Sequence, residues 1–101
     1  MSIAGLDPLI HAPLRLQICA ILSATDEAEF SVVRVNTGVS ESVLSKHLKQ
    51  LEEAGYVKAR KAARAGRQRT WLALTETGAR AFAGHMAALT SLAEQARIAA
   101  E

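Results

Sequence analysis

The chain has 101 residues, half of them apolar and 22% charged, which suits one small globular domain and is too short for a large multidomain enzyme. Its longest unbroken apolar run, Ile18–Leu22, is five residues, far below the roughly 20 that a transmembrane helix needs. No charged segment followed by an apolar one opens the chain, and the single Cys19 cannot form an internal disulfide. The expectation is therefore a cytoplasmic chain forming one domain over residues 1–101, with a body over 12–75 and a C-terminal helix over 76–101.

The net charge of +2 conceals a segregation. Residues 1–45 carry two basic and five acidic side chains, a local charge of −3. Residues 46–69 carry eight basic side chains against Glu52 and Glu53, or +6, and residues 70–101 carry two against three, or −1. A basic block on an otherwise near-neutral chain points to a polyanion-binding face, with a merely solvated charged surface as the alternative.

In chain order, Asp7-Pro8 reads as a helix N-cap followed by Pro at the first helical position, and Pro13 interrupts that helix. A short N-terminal turn or helix is expected, then a helix from about Pro13 to Leu22, with Leu14, Ile18, Ile21 and Leu22 at helical spacing. Ser23–Glu29 is polar and acidic, a loop. Phe30 stands alone as a large apolar residue, in a very short strand. Ser31 can cap a short helix over Val32–Thr37, which Gly38 ends, and Ser40 can cap the next, which Gly55 ends. Two helices joined by a short glycine-containing turn form a helix-turn-helix pattern.

The helix over about 40–54 carries Leu44, Leu48 and Leu51 as one apolar stripe. At about 100° per residue, Ser42, Lys46, Lys49 and Glu53 centre on the opposite side, flanked by Ser45 and Gln50. Short donors and long cations are the side chains that contact phosphates and base edges. Tyr56–Lys61 can form a strand, Ala62–Gln68 a basic hairpin loop, and Arg69–Leu74 a second strand, with Thr70, Leu72 and Leu74 on one face and Trp71 and Ala73 on the other. Thr75 can cap a last helix running to about Ala99, roughly 36 Å long. The expected fold is mainly α with a small β-hairpin (α+β). It is a winged helix-turn-helix, with helix 40–54 in a major groove and the wing over 60–69 on flanking DNA.

The run Ser42-x-x-Ser45-x-His47-Leu48-x-x-Leu51-x-x-Ala54-Gly55-Tyr56-Val57 resembles the recognition-helix signature of arsenic-repressor-type regulators. Gly66-Arg67-Gln68-Arg69-Thr70-Trp71-Leu72-Ala73-Leu74-Thr75-Glu76-Thr77-Gly78 resembles the wing and following helix start of multiple-antibiotic-resistance-repressor-type regulators. His11-x-Pro13-x-Arg15-x-x-Ile18 is similar to the first-helix opening of both (MarR/ArsR-type) families. The resemblance spans about residues 6–90. It implies a homodimer on a pseudo-palindromic operator, usually a repressor. The residues expected at DNA are Ser40, Ser42, Ser45, Lys46, Lys49, Gln50, Arg64, Arg67 and Arg69. Metal-sensing members carry a Cys pair in the recognition region, or carboxylate and His ligands in the last helix. This chain has neither, so neither a metal nor any other cofactor is expected.

The last helix is Ala-rich, with Phe82, Met86, Leu89, Ala93 and Ala96 in a stripe that Ala88 and Leu92 widen. A small body cannot cover all of it, so this stripe is expected to pair two subunits. Elsewhere the plainer readings are preferred. Cys19 sits among apolar neighbours as core rather than as a redox thiol. His47 makes a structural or phosphate hydrogen bond rather than a metal bond, and His11 and His85 show no partner pattern. Trp71 packs under wing arginine stems or against the last helix, with stacking on nucleic acid as the functional alternative. Glu52 and Glu53 diverge by about 100° and form no acid/base pair. No nucleophile elbow, Walker loop or HExxH appears, so enzyme activity is not expected. The rival reading is a winged-helix module that binds protein without specific DNA binding. A third is a ligand-responsive repressor with a pocket between the first helix, the helix-turn-helix and the last helix.

Overall fold

In the computed structural model Asp7 opens the first helix, its Oδ1 accepting from the backbone N–H groups of Leu9 and Ile10 at 2.9 and 3.3 Å. The structure describes residues 3–101; Met1 and Ser2, which the expected range 1–101 takes in, lie outside the described residues. Helix α1 is a single turn, Pro8–His11, and α2 runs Pro13–Ser23, each with Pro at its start. Ile18, Cys19 and Leu22 of α2 are buried together with Ile10 of α1.

Two sequence expectations shift in the next segment. The short strand is Ala28–Glu29 (β1), not Phe30, and Phe30 instead begins helix α3, Phe30–Thr37. The N-cap is Glu29, without a side-chain cap bond, rather than Ser31. The reason is tertiary. Ala28 and Glu29 pair with Leu72 and Trp71, which pulls this stretch of the expected acidic loop into a sheet. Gly38 closes α3 in the left-handed region at φ 73°, as a C-terminal glycine does.

Helix α4 spans Glu41–Glu53, with Ser40 Oγ accepting from Val43 N–H at 3.2 Å. Its Leu44, Leu48 and Leu51 are buried against Ile18, Leu22, Val33 and Leu72 in one core cluster. Each such leucine contributes on the order of 2–5 kcal/mol relative to Ala, which is what fixes the rotation of α4 and hence its outward face.

The expected seven-residue loop over 62–68 is instead a two-residue turn. Strand β2 runs Val57–Arg64 and β3 runs Arg67–Leu74, paired antiparallel from Val57↔Leu74 out to Arg64↔Arg67. Ala65 and Gly66 both have positive φ, 52° and 77°, the geometry of the tight hairpin turn whose twist matches its strands. Sheet order is β1-β3-β2. The ribbon's small and basic residues hid this from the sequence, because they break the alternation by which strands are recognised.

Helix α5, Glu76–Ala99, starts at Thr75, whose Oγ1 accepts from Gly78 N–H at 2.9 Å. Thr75 N–H donates to Tyr56 O and its hydroxyl donates to Gly55 O. A Cβ on Gly78 would stand 2.0 Å from Tyr56 O. The start of α5 is thus pressed directly on the backbone that follows α4. Beyond Leu89 every residue is exposed, and the molecule measures 60 × 26 × 22 Å with a radius of gyration of 15.5 Å. A compact chain of about 100 residues has about 13 Å. The excess is the distal half of α5, which leaves the body.

Two substitutions separate this backbone contact from ordinary helix propensity. Gly78→Ala should lower stability by about 3 kcal/mol or more, since the opposing atom is backbone and cannot rotate away. Gly84→Ala, where a Cβ meets nothing within 4 Å, should raise stability by up to about 1 kcal/mol. Urea unfolding of the two variants measures both, and equal effects would refute the close contact.

Candidate nucleic-acid interface

The core packing of α4 leaves Ser42, Ser45, Lys46 and Lys49 exposed on one side. Among the described residues neither lysine forms an ion pair. Ser40 is exposed at the helix start, where it caps α4 and lies 3.3 Å from Ser42 Oγ. Gln50 is placed differently. Its Oε1 accepts from Arg15 Nη1 at 2.8 Å, so it turns toward α2. The same nitrogen donates to His47 Nδ1 at 3.0 Å, because an arginine can only donate. Burial and the Arg15 charge hold the His47 pKa below its usual value. His47 is thus a structural acceptor.

Strand alternation sorts the wing into two faces. Ala59–Leu72, Lys61–Thr70 and Ala63–Gln68 are paired on the inner face. Ala59, Lys61, Thr70 and Leu72 line an open groove of about 550 Å³ shared with Ser45 and Lys49 of α4. The outer face carries Lys58, Arg60, Arg64, Arg67, Arg69 and Trp71. The wing is therefore basic chiefly on the side turned from α4 and at its tip.

Two of those cations are committed within the fold. Arg60 donates from Nε and Nη2 to both carboxylate oxygens of Glu27, at 2.6 and 2.7 Å. Arg69 Nη1 donates to Glu29 Oε1 at 2.6 Å, and its Nε is buried without a partner. Hydrogen bonds from these arginines hold the Glu27 and Glu29 carboxyls below their usual pKa. Arg69, expected at DNA, is thus half-buried and engaged. The guanidinium carbons of Arg60 and Arg64 lie 5.9 and 5.6 Å from the Trp71 ring centroid, so Trp71 packs under wing arginines. Each such contact is worth about 0.5–1 kcal/mol at an exposed site and stiffens the ribbon.

At the tip Arg64 and Arg67 are direct cross-strand partners, and among the described residues neither forms an ion pair with a carboxylate. Like charges facing one another across a ribbon oppose the fold. A bound anion would relieve that repulsion.

A second polar cluster sits where α5 meets the N-terminal segment, and nothing in the sequence spacing announced it. His85 is fully buried. Its Nδ1 accepts from Asp7 N–H at 3.0 Å, which places the ring proton on Nε2, 3.3 Å from His11 Nδ1. Tyr56 OH donates to Asp7 Oδ2 at 2.6 Å. With its Nδ1 lone pair engaged and its Nε2 protonated, His85 has no free atom for a metal. Burial, then the His11 charge, lowers its pKa. Cys19 is buried nearby, its thiol pushed up to about 11 by burial and by Asp7, so it stays protonated as a core residue. A cavity of about 340 Å³ lies between α2, the sheet and α5, lined in part by Leu22, Leu74 and Phe82.

The expected pairing stripe on α5 divides. Phe82 packs on the body core, Leu89 is half-buried, and Met86, Ala93 and Ala96 are exposed. The residues of α5 turned fully into the body are Gly78, His85 and Ala88. Among the described residues no helix is long and apolar enough to cross a membrane.

A recognition helix, a basic wing and a long following helix define a class, and the family comparison agrees. The chain belongs to the winged helix DNA-binding domain family, which matches residues 14–93. It is similar to an uncharacterized protein, MJ0432, of Methanocaldococcus jannaschii, 28% identical over 85% of this chain and 94% of that one. It is also similar to the solved transcriptional regulator homologue of Pyrococcus horikoshii, 26% identical, with a TM-score of 0.82 and 86% of each chain covered. The PcaV transcriptional regulator of Streptomyces coelicolor shares the fold at 18% identity, with a TM-score of 0.75 over 96% of this chain and 67% of that one.

The buried imidazole has a pH signature. A histidine whose folded pKa lies below its unfolded value of about 6.5 takes up a proton only on unfolding, so stability falls as pH drops below that value. Urea unfolding between pH 7.5 and 5.5 should show this decline. His85→Gln should reduce the slope without removing it, since His47 acts in the same direction. A stability independent of pH over this range would contradict the assigned ring state.

Proposed function

We propose that this protein is a dimeric, sequence-specific transcriptional regulator that places α4 in the major groove of double-stranded DNA and its wing tip on flanking phosphates, acting as a cytoplasmic repressor. The observation that carries this reading is the distribution of unpaired charge. Lys46 and Lys49 on α4 and the opposed Arg64 and Arg67 at the tip lack acidic partners among the described residues, while Glu27 and Glu29 are engaged with Arg60 and Arg69. Ser42 and Ser45 beside the lysines supply short hydrogen-bonding groups for base edges. The body over 12–75 holds this surface, and the helix over 76–101 joins the subunits.

Dimerisation is supported by the uncovered apolar positions of α5. Met86 and Leu92 are about two-fifths exposed and Ile98 is 57% exposed, with Ala93 and Ala96 between them allowing close helix approach. A symmetric pair would set the two recognition helices about 34–36 Å apart, one turn of DNA. Leu92→Asp combined with Ala96→Glu should shift the protein to monomer in sedimentation equilibrium and cost binding to a two-half-site duplex. A dimer that survives both changes would move the interface elsewhere.

Four cations per subunit, two subunits and a slope of about −0.9 per phosphate give log K against log salt near −7. Salt titration of duplex binding measures it. Lys46→Ala with Lys49→Ala should weaken binding and flatten the slope while melting temperature holds, because both side chains are exposed. A slope near zero would favour a protein-binding module instead.

A further inference from the structure

Helix α4 presents one exposed side chain that neither the fold nor the electrostatics accounts for. Every other exposed residue of Glu41–Glu53 is Ser, Lys or Glu, yet Val43 is 41% exposed. A β-branched side chain on an open helix surface loses helix stability relative to Ala or a straight-chain residue. The core that takes in Leu44, Leu48 and Leu51 does not include Val43.

Its position is well defined. Val43 N–H is held by the Ser40 cap, so the residue stands in the first turn of α4. Lys46 and His47 are its neighbours one turn on, and Ser42 precedes it. Ser45 and Lys49 line the groove toward the wing; at about 100° per residue Val43 lies on the far flank from Ser45. Its side chain therefore lies on the flank away from the wing, between Lys46 and the Gln50–His47 edge that Arg15 of α2 holds, and stays 41% exposed there.

We infer that Val43 is a specificity-determining residue that reads thymine, its γ-methyl groups packing on the C5-methyl at one position of each half-site. Thymine is the base with a methyl on the major-groove edge. The serine hydroxyls can donate or accept, and the lysines act on guanine edges or phosphates, so these polar groups discriminate thymine poorly. An apolar side chain among them supplies the missing discrimination. The inference rests on the DNA-binding reading above and adds to it the class of base that one residue selects.

The test replaces single thymines by deoxyuridine in duplexes recovered by selection from a random pool, which removes the methyl and keeps the pairing. Wild-type protein should lose about fourfold in affinity at one thymine per half-site, the value of one buried methyl. Val43→Ala should bind the thymine and uracil duplexes equally, with an unreduced melting temperature. Indifference of the wild type to every such replacement overturns the inference, as does a Val43→Ala protein that keeps the same discrimination. Failure of the pool to yield any enriched duplex would instead remove the DNA-binding reading itself, and this inference with it.

Discussion

The structure turns on the junction at Tyr56. Its carbonyl accepts from Thr75 N–H, stands against Gly78, and follows the Gly55 carbonyl that takes the Thr75 hydroxyl. Its phenol reaches Asp7, the cap of the first helix. One residue thereby ties the end of α4 to the start of the wing, of α5 and of the N-terminal segment. Only a glycine at position 78 allows that approach, since a side-chain atom there would meet backbone. The orientation of α4 relative to α5 is set at this point.

The same segment carries a buried imidazole rather than an apolar residue. A leucine at this position would offer no hydrogen bond. Instead the His85 ring receives the Asp7 N–H and donates its own N–H toward His11, joining α1 and α5 by direction as well as by contact. A hydrogen-bonded group at a packing interface admits one arrangement where an apolar one admits several. That specificity has a cost, because the ring must stay neutral to keep both bonds.

Electrostatics in the wing follow a division of labour. Acidic residues of the segment before α3 neutralise Arg60 and Arg69, and the Arg60 and Arg64 guanidinium groups lie over Trp71. The ribbon is held rigid at its base while the tip cations remain unpaired. The basic block is visible in the sequence, but the sequence does not separate Arg69 from Arg67. What distinguishes Arg69 from Arg67 is that Glu29, forty residues earlier, lies in β1 beside it. Gln50 differs from Lys49 for the same kind of reason, since Arg15 reaches it from α2.

Much of the fold was legible locally. The Ser40 and Thr75 caps, the Gly38 terminator, the Pro13 start and the Leu44–Leu48–Leu51 stripe are signals written within a few residues, and each marks the element it should. Less legible were β1, the extent of the ribbon and the His11–His85 pair. Strand β1 is two residues long and exists only because β3 is beside it. Arg64 and Arg67 form a ladder because two residues of positive φ bring them back on one another. The sequence by itself determined the helices, the family and which segment carries the positive charge, because capping, periodicity and charge are local properties. Only the tertiary structure decided which of those charges stay free and how α5 sits on the body, because both depend on partners that the chain brings together across about twenty to eighty residues.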